Sequence, residues 1–175
     1  DDKSVRLTWS ARLALRRHSG RPLTASPEVP TTTRDPLMVD RMAAGAAFEF
    51  CRRVALLLDR WSQHPPPGLR SGGLGVRDLK AVTQMLHVDT WEAGLIVEVA
   101  WAAGLLGSGH TDDLDRAWLP TKEYDAWLQL PSHRRWLRLA FAWLDLDREV
   151  TLIGSRIDGK PVNALTPALH NQSVS

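Results

Sequence analysis

Residues 69–120 constrain the fold more than any other stretch, because their local signals follow the order of a known structural unit. After Gly75, apolar residues recur at helical spacing, at Val76, Leu79, Val82 and Leu86. His87 and Val88 interrupt that spacing and predict a turn. A short strand is expected before this helix.

A second helix is predicted after the turn. Asp89 is a favourable N-cap, and Glu92 three residues later completes a capping box. The stripe expected to be buried consists of Leu95, Ile96, Val99, Ala100 and Ala103. Gly104 suits the left-handed end of a helix, and residues 105–106 and 115–119 predict two strands around a polar loop. This order is that of a winged helix-turn-helix, so the predicted fold is mainly α with a small β wing.

Additional packing helices are predicted on both sides of this core. A long helix begins at Asp35 and Pro36, which provide a cap and a first-turn proline, and it ends before the Pro-rich residues 65–68. Its apolar stripe is wide and predicts covering on more than one side; the stripe consists of Val39, Met42, Ala46, Phe50, Val54, Leu57 and Trp61. Two shorter helices are predicted at 121–129 and 132–144.

The chain divides into three parts by composition. Residues 1–35 predict a short strand and a short helix followed by a linker rich in Pro and Thr. Residues 36–144 are expected to form the winged-helix domain. Residues 145–175 lose periodicity and predict an irregular extension, with 150–153 as a candidate strand.

Charge is distributed unevenly along the chain. Residues 1–70 hold 12 Lys and Arg against 7 Asp and Glu, and residues 131–175 hold 6 against 4. Residues 71–130 hold 4 against 9, so the winged-helix segment is the acidic part. Because binding of nucleic-acid phosphates depends on cations, this segment is a poor candidate for such binding.

The sequence contains no recognisable catalytic motif. Residues 71–75 (Ser-Gly-Gly-Leu-Gly) are similar to a phosphate cradle, but no Lys-Ser or Lys-Thr follows them. The six histidines lack metal-ligand spacing, and Cys51 lies on an apolar helix face, which is typical of core packing. We therefore expect no catalytic residue, no metal and no cofactor, and a protein that is not an enzyme.

No apolar run approaches the length of a membrane span. The single cysteine cannot form an internal disulfide, which fits a reducing compartment. The expected location is cytoplasmic, and nucleoid-associated if the chain binds DNA.

Residues 65–79 (Pro-Pro-Pro-Gly-Leu-Arg-Ser-Gly-Gly-Leu-Gly-Val-Arg-Asp-Leu) resemble a segment of large actinobacterial helicase-associated proteins. That family is itself similar to the N-terminal domain of XPB-type repair helicases. Residues 98–106, 118–127 and 161–167 add to the resemblance. It implies an internal piece of a longer protein that acts in DNA repair or transcription, with an XPB-type helicase or another such protein as partner. It implies no catalytic residue.

Two functions then compete, an interaction scaffold and a DNA-binding domain. In a DNA reader the second helix of the motif offers cationic or amide side chains to base edges, but residues 89–103 contain no Lys, Arg, Asn or Gln. The candidate surface for a protein partner is instead aromatic and acidic, and it consists of Trp91, Glu92, Glu98 and Trp101. The alternative is that both tryptophans are simply buried.

The DNA-binding alternative rests on two arginine clusters that would contact phosphates without reading sequence. The first lies on one arc of the helix at 132–144, and it consists of Arg134, Arg135 and Arg138. The residues of that helix expected to face the core are Leu137, Ala140, Phe141 and Leu144. The second cluster lies near the N-terminus, at Arg12, Arg16 and Arg17. Either cluster could equally be a solvated face or pair with nearby acids.

Overall fold

The computed structural model describes residues 31–113, 115–157 and 159–167. A compact unit begins at Pro36. Its helices are α1 (Pro36–Gln63), α2 (Val76–Leu86), α3 (Thr90–Ala102), α4 (Lys122–Leu128), α5 (Ser132–Leu144) and a short 3₁₀ helix (Val150–Leu152). Its strands are β1 (Leu106–Gly109), β2 (Ala117–Pro120), β3 (Arg156–Ile157) and β4 (Lys160–Pro161). The prediction of a mainly helical fold with a small antiparallel sheet is confirmed. The strand, helix and arginine cluster predicted within residues 1–30 lie outside the described residues.

The turn between α2 and α3 forms where the sequence predicts it. His87 adopts the left-handed conformation, with φ of +54°. The Asp89 carboxylate then accepts a hydrogen bond from the Glu92 amide at 2.8 Å, which caps α3. Gly104 follows α3 with φ of +72°, as expected for a glycine after a helix.

Helix α3 is the centre of the molecule. It packs against α1, α2, α5, β1 and the 3₁₀ helix. Its buried residues lie on more than one side, and they are Ala93, Gly94, Ile96, Val97, Glu98, Val99 and Ala100. A helix that is apolar on most sides is stable only when it is enclosed, so α3 cannot present a broad free face.

Strands β1 and β2 pair in antiparallel register, from Leu106 opposite Pro120 to Gly109 opposite Ala117. The proline-rich segment before α2 joins this sheet through one isolated bridge, which pairs Pro67 with Ala117, while a second bridge pairs Gly68 with Leu74. The short strand expected within residues 69–75 is absent from the described residues, because Gly72 and Gly73 have φ of +85° and +92° and turn the segment back on itself, with the Gly72 amide donating to the Leu69 carbonyl.

Residues 145–167 contribute to the same core. Val150, Ile153, Ala164 and Leu165 are buried. The prediction of a strand at 150–153 is wrong, since residues 150–152 form a 3₁₀ helix. Ile153 lies against α3 at Gly94, where a Cβ would approach the Ile153 side chain to 3.0 Å, so tight packing determines the local conformation.

The face of α5 that meets the core differs from the predicted one. Leu139 is fully buried, whereas Leu137, Phe141 and Leu144 are 46%, 61% and 67% exposed. Of the four residues expected to face the core, only Ala140 is partly covered. The prediction assumed that the arginines point to solvent, but two of them turn inward to backbone carbonyls, as described below.

The apolar stripe of α1 is covered along only part of its length. Its buried residues are Cys51, Val54, Leu57, Leu58 and Trp61. Val39 and Met42 occupy the same stripe but are 45% and 58% exposed. The prediction that this helix is covered on more than one side is therefore wrong for its first three turns.

Candidate functional site

Glu98, a predicted partner-surface residue, is completely buried. Its Oε2 accepts a hydrogen bond from Arg148 Nε at 2.7 Å, and its Oε1 accepts one from the Leu165 amide at 2.6 Å. Arg148 also donates to the Thr166 carbonyl at 2.7 Å. The prediction for Glu98 is wrong, because this carboxylate anchors the C-terminal segment to α3.

The two tryptophans of the predicted surface differ in environment. Trp101 is partly buried, and the Arg148 guanidinium lies 5.0 Å from its ring centroid. Trp91 is 49% exposed. Only Trp91 therefore offers a large free area, and the four predicted residues do not form one surface.

Glu92, the fourth of these residues, belongs to a chain of ion pairs with α1. Its carboxylate pairs with Arg53, whose Nε lies 3.0 Å from Glu49 Oε1. Arg52 also donates a hydrogen bond to the Glu49 carboxylate, at 2.7 Å. This hydrogen bond is the main reason that the pKa of Glu49 is lowered to about 2. The two arginines and the two glutamates neutralise each other's charge where α1 meets the start of α3.

Arg135, from the predicted phosphate-binding cluster, closes the connection between α4 and α5. Its Nε donates to the Leu130 carbonyl at 2.8 Å, and its Nη2 donates to the Leu128 carbonyl. Its guanidinium also lies 5.6 Å from the centroid of the Trp127 ring. Arg135 thus uses its Nε and Nη2 donors within the chain.

Arg138 is similarly engaged, with α3 and α4. Its Nη2 donates to the Ala103 carbonyl at 3.0 Å and to Glu123 Oε2 at 3.2 Å. Arg134 is exposed. The three arginines share an arc of α5, yet they do not form one free cationic surface.

The most distinctive exposed feature is an apolar groove of about 210 Å³ between α1, α3 and α5. We call this the apolar groove; it is lined by Phe50, Leu95, Val99, Trp136, Leu139, Ala140 and Trp143. Phe50 and Trp136 meet edge to face, with ring centroids 6.2 Å apart. Every lining side chain is apolar, so the groove is suited to another apolar side chain.

Large apolar side chains are also exposed along α5 and the first half of α1. On α5 they are Trp136, Leu137, Phe141, Trp143 and Leu144, and on α1 they are Leu37, Met38, Val39, Met42 and Phe48. We call residues 36–46 of α1 the arm, because every one of them is exposed. The sequence revealed the stripe of the arm but not its exposure, since spacing alone does not tell which partner covers an apolar face.

The glycine-rich residues 71–75 have a packing explanation. A Cβ at Gly73 would approach the Ala164 carbonyl to 2.9 Å, and the Gly73 carbonyl accepts a hydrogen bond from Trp118 Nε1 at 3.2 Å. The glycines therefore let the segments around β2 and Ala164 approach closely.

The described residues show no arrangement typical of catalysis. Within 31–113, 115–157 and 159–167, no three His, Cys, Asp or Glu side chains are grouped so that they could hold a metal ion. Cys51 is buried, and this burial raises the pKa of its thiol. A thiol in that state is a poor nucleophile.

No protein-family model matches the chain, and searches of curated proteins and of solved structures found no match. None of the described helices has both the length and the apolar character needed to cross a bilayer. The functional interpretation therefore depends on the residues of the site.

Proposed function

We propose that this chain is a non-catalytic protein-interaction module built on a winged helix-turn-helix core. One observation supports this proposal most strongly: most of the large exposed apolar side chains lie on the arm and α5, and α5 also lines a groove without a polar residue. Large exposed apolar patches usually mark interaction sites. Trp136 and Trp143 in the groove belong to the residue type that contributes most to protein-protein binding.

DNA binding without sequence specificity has weaker support. Helix α3, which corresponds to a recognition helix, is enclosed and carries no cationic side chain. Arg135 and Arg138 already donate to groups of the chain itself. Of that cluster, Arg134 alone makes no side-chain hydrogen bond within the described residues and is exposed.

The resemblance noted in the sequence suggests the biological setting. We propose that the chain is an internal part of a larger helicase-associated protein acting in DNA repair or transcription in the cytoplasm. An XPB-type helicase is the first partner to test, because the resemblance points to that class of protein.

The test is calorimetric titration of the chain with a purified XPB-type helicase. Phe141→Asp should weaken binding at least tenfold, because it places a charge on the apolar surface. Val76→Asp is the matched control, since Val76 is 55% exposed on α2, away from the groove, and its binding should be unchanged.

A parallel DNA titration at two salt concentrations tests the alternative. The interaction proposal expects negligible affinity even at low salt. Tight, salt-dependent DNA binding that Phe141→Asp leaves intact, together with no helicase binding, would contradict it.

A further inference from the structure

One face of the β1–β2 hairpin carries polar side chains. In the antiparallel register Ser108 lies opposite Trp118, and side chains alternate between the two faces along each strand. His110 and Arg116, one residue beyond the paired positions, therefore share the face of that pair. In agreement with this placement, all four side chains line the same crevice.

The crevice has a volume of about 310 Å³, and two distant segments close its other side. One is the turn at Gly72 and Gly73, and the other is the chain at Leu165 and Pro167. A Cβ at Gly72 would lie 2.9 Å from Pro167 Cδ, so glycine lets these two walls approach each other. The volume is at the lower end of the range for small-ligand sites, about 300–1,000 Å³.

Arg116 is held in position beside this crevice. Its side-chain stem lies over Gly68, where an added Cβ would come within 2.7 Å of Arg116 Cγ. Its Nη1 donates to the Leu69 carbonyl at 3.3 Å. Within the described part of the chain, its Nε and Nη2 donate no hydrogen bond. These two parallel donors match two oxygens of a phosphate or a carboxylate.

Two further donors on the same face are also unused. Ser108 and His110 are exposed, and neither side chain forms a hydrogen bond to another described residue. Trp118 is buried, and its indole N–H already donates to the Gly73 carbonyl at 3.2 Å. Trp118 therefore forms a fixed apolar floor, and the groups available to a ligand are a hydroxyl, an imidazole and a guanidinium.

This set of groups is suited to an anion with three free oxygens. The guanidinium, the imidazole and the hydroxyl can each donate a hydrogen bond, and none of the described residues that line the crevice is acidic. A phosphomonoester offers three unesterified oxygens, whereas a carboxylate or the phosphodiester of a nucleic acid offers two. The three donors therefore favour a phosphomonoester.

The charge around the crevice also limits the kind of anion. Asp112, Asp113 and Asp115 are exposed on the loop that joins β1 to β2. A nucleic acid would bring several phosphates within the screening length of these carboxylates, which is about 8 Å at physiological ionic strength. A single anionic group in contact with Arg116 meets less of this repulsion, so the site disfavours a polyanion.

We propose that this crevice binds a phosphomonoester, with two of its oxygens on Arg116 and the remaining hydrogen bonds from His110 and Ser108. The group belongs either to a phosphorylated side chain of a protein or to a small phosphate metabolite, since both present the same three oxygens. The inference goes beyond the proposed interaction function and does not depend on it, because the crevice lies on the hairpin and the apolar groove lies between α1, α3 and α5.

The test is titration of the ¹⁵N-labelled chain with phenyl phosphate, followed by NMR. The amide signals of residues 72–73, 108–110 and 116–118 should shift and saturate. Arg116→Ala should raise the dissociation constant at least tenfold, and His110→Ala should raise it severalfold. Arg134→Ala is the matched control, since it removes an exposed arginine of α5, and it should leave the constant unchanged. Circular dichroism verifies that each variant is folded; the changed residues are exposed, so folding should persist.

Two related compounds test the selectivity. Benzoate replaces the phosphomonoester with a carboxylate, and methyl phenyl phosphate replaces it with a diester. Each should bind at least tenfold more weakly than phenyl phosphate. Equal affinity for the three compounds, shifts that do not saturate, or binding that Arg116→Ala leaves unchanged would overturn the site.

A short phosphoserine peptide then identifies the source of the group, with its unphosphorylated form as the control. Binding at least tenfold tighter than that of phenyl phosphate would identify a phosphorylated protein segment. Equal affinity of the peptide, phenyl phosphate and inorganic phosphate would identify a small metabolite. The helicase titration uses no phosphomonoester, so failure of the crevice leaves the interaction function standing, and failure of helicase binding leaves the crevice standing.

Discussion

At the scale of single residues, Glu98 and Arg148 form a fully enclosed ion pair, with exposures of 0% and 8%. The pair is also hydrogen-bonded to backbone at Leu165 and Thr166. Removal of one partner from such a pair leaves an uncompensated buried charge, whereas apolar replacement of both partners is often tolerated.

We therefore expect Glu98→Ala to lower the free energy of unfolding by about 3–5 kcal/mol. Urea denaturation followed by tryptophan fluorescence measures this change. The double variant Glu98→Leu/Arg148→Met should recover much of the loss, because no charge remains buried. A loss under 1 kcal/mol for Glu98→Ala would mean that water reaches this site.

The Glu49 carboxylate gives a prediction about pH. Its pKa is lowered from the ordinary 4.5 to about 2, chiefly by the hydrogen bond from Arg52, so the folded state favours its charged form. The stabilisation is present above about pH 4.5 and is lost as the pH falls towards 2. The difference in melting temperature between wild type and Glu49→Gln should shrink over this interval. A difference in melting temperature that stays constant from pH 6 to pH 2.5 would exclude the charged form of Glu49 as the source of the stabilisation.

Whether a feature of a single residue could be predicted depended on how far away in the sequence its contact partner lies. The Asp89 cap and the left-handed Gly104 involve neighbours within a few residues, and both were predicted correctly. Glu98 was assigned to a surface because its partner Arg148 lies 50 residues away. No local pattern connects those two charges.

At the scale of elements, α5 provides a test of which helix face meets the core. Leu139→Ala should cost about 2–5 kcal/mol, because Leu139 is fully buried. Leu137→Ala, two residues away and 46% exposed, should change stability by less than about 0.5 kcal/mol. Thermal and urea unfolding of the two variants provide the comparison. Equal losses of stability in the two variants would instead support the core-facing side of α5 that was predicted from the sequence.

The error in the α5 face has a physical origin. Apolar residues surround most of this helix, so the arginines were the main guide to its outer side. Arg135 and Arg138 reach carbonyls at the ends of α4 and α3, where the last turn of a helix leaves acceptors unpaired. Charged side chains that serve such acceptors point towards the protein, and the sequence carries no sign of this.

At the scale of the whole molecule, residues after Leu144 belong to the core rather than to a dispensable extension. Ile153 packs on α3, and the Ala164 carbonyl accepts a hydrogen bond from the Leu74 amide at 2.7 Å. Loss of this segment would also remove the Arg148 and Leu165 partners of Glu98 and open the side of α3 that carries it to solvent.

A fragment of residues 31–144 should therefore lack a cooperative thermal transition, whereas residues 31–175 should unfold cooperatively. Circular dichroism at 222 nm and near-ultraviolet dichroism measure this difference. Addition of a peptide of residues 145–175 should restore part of the near-ultraviolet signal. A fragment that melts like the longer chain would establish 36–144 as an autonomous domain.

The order of the helices and strands could be predicted from the sequence, but which of their faces are covered by other segments could not. The succession α2, turn, α3, β1 and β2 follows from caps, glycines and spacing that act locally. The covering of α3 by a distant segment, and the bare arm of α1, depend on which surfaces meet after the chain has folded.

The separation between Glu98 and its partners also affects synthesis on the ribosome. The Leu165 amide follows Glu98 by 67 residues, and at about 5–20 residues per second it is polymerised roughly 3–13 seconds later. Helices and hairpins sample their folded conformation within microseconds, so residues 90–102 spend seconds as a transient, uncovered helix before Arg148 and Leu165 can pair with the Glu98 carboxylate. During those seconds the apolar sides of α3 remain open, which makes the growing chain a substrate for ribosome-associated chaperones.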